Sequence, residues 1–302
     1  MDFGRLSDVS GVDFTIPDDP AATTQVLATS LGEGKVTPRV YFGAPVWRHD
    51  GFVGKIYPEG AKPNSFLEHY SKQFPCIELG STYYGIRPET VERWRDVVPK
   101  NFRFCPKVSR VISHDLQLRN AKEETSEFAR HVAKFGDRLG SVWINLPPSF
   151  GGDRYGDLAA WLELWPRDIP LSLEVRNEAW FQPEAIDRLA DLLAKHDVCL
   201  ILSDVASRRD ACHVRLPVPR AFVRFAGHRL HASDYTRLDE WVERIRSWCD
   251  QGLEEIFFML HQPEEDLTVE LAEHFVPKLE SRLKLGLEPP TRIEKFVQKT
   301  FF

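Results

Sequence analysis

Sulfur is scarce in this 302-residue chain: five cysteines, two methionines and no Cys-x-x-Cys pair. Without that pair, neither a zinc knuckle nor a redox dithiol is expected. Cys76, Cys105 and Cys199 lie inside apolar runs and read as small core residues. No window holds the ~18 apolar residues of a membrane span. The first residues, MDFGRLSDVSGVDF, lack the basic and apolar regions of a secretory signal. No Asn-x-Ser/Thr acceptor occurs. The expectation is a soluble, cytoplasmic protein in a reducing compartment, with no membrane partner. Compact catalytic signatures are missing as well: no HExxH, no phosphate-binding P-loop, no GxSxG, no kinase set and no GxGxxG. Eighteen glycines and 21 prolines fall in no repeat, which excludes collagen-like and low-complexity classes. A net charge of −6 opposes whole-chain attraction to nucleic acid or an anionic membrane.

What is present is a rhythm. From Arg39 onward, short apolar runs recur at Arg39–Gly43, Cys76–Leu79, Phe102–Lys107, Ser141–Leu146, Leu171–Arg176, Val198–Leu202, Ala221–Phe225 and Glu255–Leu260. Such runs suit strands buried on both faces of a parallel sheet. Amphipathic stretches separate most of them: Asn64–Phe74, Thr90–Val98, Lys122–Phe135, Pro183–Lys195, Asp234–Asp250 and Leu267–Leu279. Asn64 is the expected N-cap of the first. The stretch Ser203–Arg220 shows no good helix. Eight β-α units over Arg39 to Phe302 come close to the ~250 residues of a (β/α)8 TIM barrel. With no Gly-rich first turn, the barrel is preferred over a doubly wound sheet. Residues 1–38 are polar and aperiodic and read as an N-terminal extension, with a short helix around Ala22–Leu31. The expected organisation is thus 1–38 extension and 39–302 barrel domain.

In a barrel the reactive face lies at the C-terminal strand ends. Those ends carry Trp47, Glu78, Ser81, Tyr83, Lys107, Arg110, Asn145, Glu174, Arg176, Asp204, Arg224 and His261. Burying such groups is costly unless they are paired. His114 follows the third run and belongs to the same face. An internal salt-bridge layer is the structural alternative to a ligand site.

At these residues the chain resembles a known family. FGAPVWRHDGFVGKIYP (42–58), the long segment from Phe66 to Leu118, LPPSF (146–150), LEVRNEAWF (173–181), LSDVASRRD (202–210) and FVRFAGH (222–228) match the YecE-like family, domain of unknown function 72, in order and spacing. The resemblance implies a TIM barrel and brings no established activity. Glu78, Ser81–Tyr84, Lys107, His114, Glu174, Arg176, Trp180 and Asp204 fall on matching positions. The chain departs from the family pattern at Gly80, Asn145, Ala226 and the eighth strand, where Phe-Asn-Asn is usual.

Three functions fit the parts. The first is a hydrolase-like enzyme for an anionic, ring-containing ligand, a phosphoester or sugar. Glu78, Lys107, Glu174 and Asp204 would be catalytic. Trp47, Ser81, Tyr83, Arg110, His114, Asn145, Arg176, Trp180 and Arg224 would bind substrate. Glu78 and Glu174 would form the acid/base pair if their environments split their pKa values. No cofactor is expected in this reading. The second adds a divalent metal on Glu78, Glu174, Asp204 and His261, as in a metal-dependent isomerase or an endonuclease-like phosphodiesterase. The third is a non-catalytic module for nucleic acid or a small molecule, using the locally basic stretch Arg208–Arg224. Glu174→Gln or Lys107→Met is expected to abolish ligand binding or activity without unfolding the chain.

Overall fold

The computed structural model describes residues 3–32, 34 and 37–293. Of the expected barrel domain, residues 294–302 lie outside the described residues.

The protein is an α/β fold with parallel strands. The strands are β1 (Arg39–Ala44), β2 (Cys76–Leu79), β3 (Arg103–Pro106), β4 (Val142–Asn145), β5 (Leu171–Glu174), β6 (Val198–Leu200), β7 (Leu202–Asp204), β8 (Arg220–Ala226) and β9 (Glu255–His261). The helices are α1 (Ala21–Gly32), α2 (Phe66–Tyr70), α3 (Pro88–Val97), α4 (Lys122–Val132), α5 (Tyr155–Leu162), α6 (Pro183–Lys195), α7 (Ala232–Gln251) and α8 (Thr268–Leu283). All eight apolar runs form strands. The sixth is split at Ile201 into β6 and β7. Helix α6 matches its expected span. Helix α2 is shorter than expected: it starts at Phe66 behind Ser65, whose side chain makes no cap bond, so Asn64 is not the N-cap. Between β7 and β8 only a single turn forms, at Arg209–Ala211.

The hydrogen-bonded ladders do not make one continuous eight-stranded ring. They form a six-stranded sheet in the order β3-β2-β1-β9-β8-β7 and a three-stranded sheet in the order β4-β5-β6. Isolated bridges Lys107↔Trp143 and Phe104↔Leu139 join the β3 segment to the β4 segment. At the other junction the chain runs straight from β6 through Ile201, whose N–H bonds to the Leu173 carbonyl at 2.8 Å, into β7.

Two cores follow from the period-two alternation of strand side chains. The larger lies between strands and helices and contains Trp161, Trp180, Trp241 and Trp248, each buried. The smaller is made only by strand residues and Ile201: Tyr41, Cys76, Cys105, Trp143, Ile201, Phe222, Phe257 and Met259. Alternation therefore assigns the faces of the strands that build it. Two residues beyond Cys76, Cys105, Trp143, Ile201, Phe222 and Met259 stand Glu78, Lys107, Asn145, Ser203, Arg224 and His261. They form a polar layer above the small core.

The first residues are not a loose tail. Ser207 donates its N–H to the Gly4 carbonyl at 2.9 Å, and Phe3 covers the guanidiniums of Arg176 and Arg208. Phe14 covers those of Arg209 and Arg237. Further on, Asp19 accepts from Trp248 and Arg244, and the Thr23 hydroxyl bridges Val214 and Leu216.

Candidate functional site

The polar layer is organised by one arginine. Arg224, 4% exposed, clamps Glu78 through Nε and Nη2 at 2.9 and 2.8 Å. Its Nη1 reaches both oxygens of Glu174 at 2.9 and 3.1 Å. Glu174 also accepts from Arg176 at 3.0 and 3.2 Å and from the Ser203 hydroxyl at 2.7 Å. His261 Nε2 lies 3.1 Å from Glu78. Sequence reasoning passed over Ser203 and chose its neighbour Asp204. The signal was in the alternation, because Ser203 shares its face with Ile201 and Asp204 does not.

Lys107 stands apart from these pairs. Its Nζ sits 4.2 Å from the Tyr83 ring centre and 4.8 Å from that of Trp143. Among the described residues it has no carboxylate within ion-pair distance and no side-chain hydrogen bond. Asn145, 2% exposed, has its Oδ1 buried without a partner in the same layer. The layer thus holds two carboxylates against three cations: Arg224, Arg176 and Lys107.

The electrostatics follow from burial and partners. Burial alone would raise the Glu78 pKa, but Arg224 and His261 override it and hold the carboxyl far below the usual range. Burial likewise opposes ionisation of Glu174, and Arg176 and Arg224 still bring it to about 2. Both glutamates shift in the same direction, so they are not the split acid/base pair that the sequence suggested. Burial, then Arg224 and Arg176, lower Lys107 to about 8. His114, beside Tyr83 and 2.9 Å from the Ser113 hydroxyl, is brought to about 4 by burial, Lys107 and Arg176.

Several expected site residues lie elsewhere. Asp204 points to the opposite face, where it accepts from Trp241 at 2.9 Å and pairs with Arg237 and Arg209. Strand alternation sends it there, and its role is to tie β7 to α7. Trp180 is buried in the larger core with its indole N–H on the Phe150 carbonyl at 2.8 Å, so it presents no face to a ligand. Trp47 and Ser81 line an apolar cleft of about 720 Å³ with Trp94, Leu67, Leu79 and Val97. Arg110 is exposed and paired with Asp115 at 3.1 Å, beside Tyr83 in a second hollow. The metal set is broken for the same reason as the Asp204 assignment. Arg224 separates Glu78 from Glu174, Asp204 faces away, and no group of three His, Cys, Asp or Glu among the described residues could hold a metal.

The basic stretch is neutralised internally. Arg208 pairs with Asp210, Arg209 with Asp204, Arg215 with Asp187 and Arg220 with Asp197, and Arg224 is consumed by Glu78 and Glu174. The His213 ring accepts from the Arg215 N–H at 3.0 Å, and burial brings it down to about 4. A duplex backbone would find little free positive charge there.

Comparison with known proteins gives the chain's family. The family model described as "Protein of unknown function DUF72" matches residues 41–294. The chain belongs to the DUF72 family. It is 27% identical over 245 residues to the UPF0759 protein YecE of Escherichia coli K12, covering 74% of this chain and 87% of that protein. It is 27% identical over 172 residues to the UPF0759 protein YunF of Bacillus subtilis, covering 53% of this chain and 60% of that one. Crystal structures of DUF72 family proteins from Enterococcus faecalis and Thermotoga maritima share the fold. The first has a TM-score of 0.63 at 18% identity, covering 85% of this chain and 99% of the other. The second has a TM-score of 0.62 at 21% identity, covering 80% and 99%. No helix among the described residues of this DUF72 chain is long and apolar enough to cross a membrane.

The lowered pKa values predict how this DUF72 chain responds to acid. His213 and His261 are held neutral by burial, so the unfolded chain gains protons first as pH falls below the ordinary histidine value of 6.5. Glu78, Glu174 and Asp204 contribute stability that is full above the ordinary carboxylate pKa and is lost as pH falls through their depressed values. The Glu174 shift, from 4.5 to about 2, is worth about 3 kcal/mol. Urea titrations at pH 7, 5 and 3.5 should show midpoints falling at each step. A flat profile would contradict the buried network.

Proposed function

We propose that the polar layer is the ligand site of an enzyme acting on a small anionic, ring-containing molecule, a phosphoester or a sugar, and that the two sheets close around it as one (β/α)8 barrel. The unpartnered Lys107 carries this reading. Three cations against two ionised carboxylates leave one positive charge in excess. An anion at the mouth would neutralise it. Arg176 makes its bonds to Glu174 through Nε and Nη2, which leaves Nη1 for the same anion. The unpartnered Asn145 Oδ1 suits a hydroxyl donor on the ligand. Tyr83, partly exposed, offers a ring face.

Barrel closure is supported by the small core, to which β1, β2, β3, β4, β8 and β9 each contribute, with Ile201 between β6 and β7. The Lys107↔Trp143 bridge supports it at one junction and the unbroken β6–β7 run at the other. In this reading the described residues from 39 to 293 are the barrel and residues 3–32 pack onto it. With Glu78 and Glu174 locked as carboxylates, Lys107, at about 8, and Glu265 near Glu78, raised by burial to about 7, are the groups that exchange a proton near neutral pH, and a hydrolytic step would use Lys107 to protonate the leaving oxygen.

Calorimetric titration with phenyl phosphate at pH 7 and low salt is the direct test. Binding that weakens as salt rises is expected. Absence of heat, or equal binding of neutral phenol, would overturn the reading.

A further inference from the structure

The environment of Lys107 says more than that an anion binds. An amine meant only to hold an anion does best fully charged, on a flexible stem in water. Lys107 is placed otherwise. It is partly buried, flanked by the ring faces of Tyr83 and Trp143, and sits beside Arg224 and Arg176, both already engaged by glutamates. The anion-holding task has a better candidate in Arg176, whose planar guanidinium is more weakly hydrated and matches an oxyanion's geometry.

We propose that Lys107 is a carbonyl-capturing nucleophile, and that the substrate class is a small anion bearing an aldehyde or keto group, such as an open-chain sugar phosphate. This rests on the anion-site reading, with Arg176 as the seat of the anion.

The balanced step is addition followed by loss of water. The Lys107 Nζ lone pair forms a bond to the carbonyl carbon while the C=O π pair moves to oxygen. A proton passes from nitrogen to that oxygen, giving a carbinolamine. Water then leaves and a C=N bond remains, with no oxidant or reductant consumed. The imine takes a proton from solvent and becomes a cation. It then sits between the ring faces of Tyr83 and Trp143, where the ammonium sat, so the attraction that favoured the ammonium is retained.

Two features of the site favour this chemistry over simple ion pairing. Burial and the two neighbouring guanidiniums bring the amine down to about 8, within reach of its unprotonated form. The ring faces oppose that shift and keep the amine mostly charged at pH 7, so reactivity should climb between pH 7 and 9. His114, held neutral beside Tyr83, does not compete for the proton at these pH values.

Pyridoxal 5′-phosphate, a phosphate-bearing ring aldehyde, is the probe. The folded protein is incubated with it at pH 8, reduced with borohydride and mapped by peptide mass. The adduct is expected on Lys107 about tenfold faster than on exposed Lys62 or Lys122, because burial and two guanidiniums favour the free amine of Lys107 and Arg176 seats the phosphate beside it. Phenyl phosphate should slow it, pyridoxal without the phosphate should react less selectively, and Lys107→Met should lose the fast site. Labelling that merely follows exposure overturns the proposal. If phenyl phosphate binds while Lys107 shows no preference, carbonyl capture fails and the anion site stands; if neither occurs, both fail.

Discussion

Arg224→Met should destabilise the protein by about 3–5 kcal/mol, the usual penalty for stripping one partner from a buried ion pair. That is a large part of the ~5–15 kcal/mol that holds a domain folded. The size follows from where the charges are left. Glu78 is 2% exposed and Glu174 is 1% exposed, and four of the hydrogen bonds to them come from this one side chain. Without it, Glu78 keeps His261 and Glu174 keeps Arg176 and Ser203, so the deficit is greatest at Glu78. The pH dependence has a definite sign. In the variant the Glu78 pKa rises above its unfolded value, so acidification from pH 7 towards pH 5 recovers stability in the variant while it removes stability from the parent. Adding Glu78→Gln to Arg224→Met should restore most of the loss, since no carboxylate is then left unpaired and Glu174 still holds Arg176. Chemical denaturation across pH checks both statements. An Arg224→Met variant as stable as the parent at pH 7 would mean that the pairing is not what holds the layer.

Lys107→Met should act in the opposite way on stability and on binding. At pH 7 the parent holds a desolvated ammonium next to two guanidiniums, a net cost despite the flanking rings. Methionine fills the same space and makes favourable sulfur contacts with Tyr83 and Trp143. The variant is therefore expected to gain about 1–2 kcal/mol at pH 7. The gain should shrink as pH rises from 8 towards 10.5, where the parent amine is no longer forced to carry charge. Affinity for phenyl phosphate should fall roughly 10- to 100-fold, the loss of one charge-assisted hydrogen bond. Thermal melts and calorimetry on the same samples separate the two effects. A variant that loses stability and keeps affinity would make Lys107 a structural residue. Glu174→Gln belongs with Arg224 instead: it should destabilise, contrary to what its place at a strand end suggested, because it leaves Arg176 and Arg224 sharing too little negative charge.

The strands and most helices were legible because burial on both faces writes itself as short apolar runs, and helices write a 3–4 spacing. Seven of the eight residues named in the polar layer were legible for the complementary reason: a charged or polar group ending an apolar run has no packing explanation. What was not legible came from direction and distance. Asp204 and Ser203 are adjacent, and only the face of Ile201 says which one turns inward. Trp180 sits among strand-end polar residues in sequence, yet its indole is carried into the helix-side core by the turn Glu178–Phe181. The covering of Arg176 by Phe3 joins positions far apart in the chain, and no local periodicity signals it. The basic look of Arg208–Arg224 dissolved for the same reason. Asp187 and Asp197, which neutralise Arg215 and Arg220, lie outside that stretch.

The proposed anion site is the layer above the small core, with half-buried Lys107 in it. The most direct measurement is a crystal structure of the protein with phenyl phosphate. Phosphate oxygens are expected within ~3 Å of Lys107 Nζ and of the Arg176 guanidinium, with the Glu78–Arg224–Glu174 clamp unchanged. Phosphate bound elsewhere, with the Lys107 ammonium turned onto Glu174 or Glu78, would contradict it.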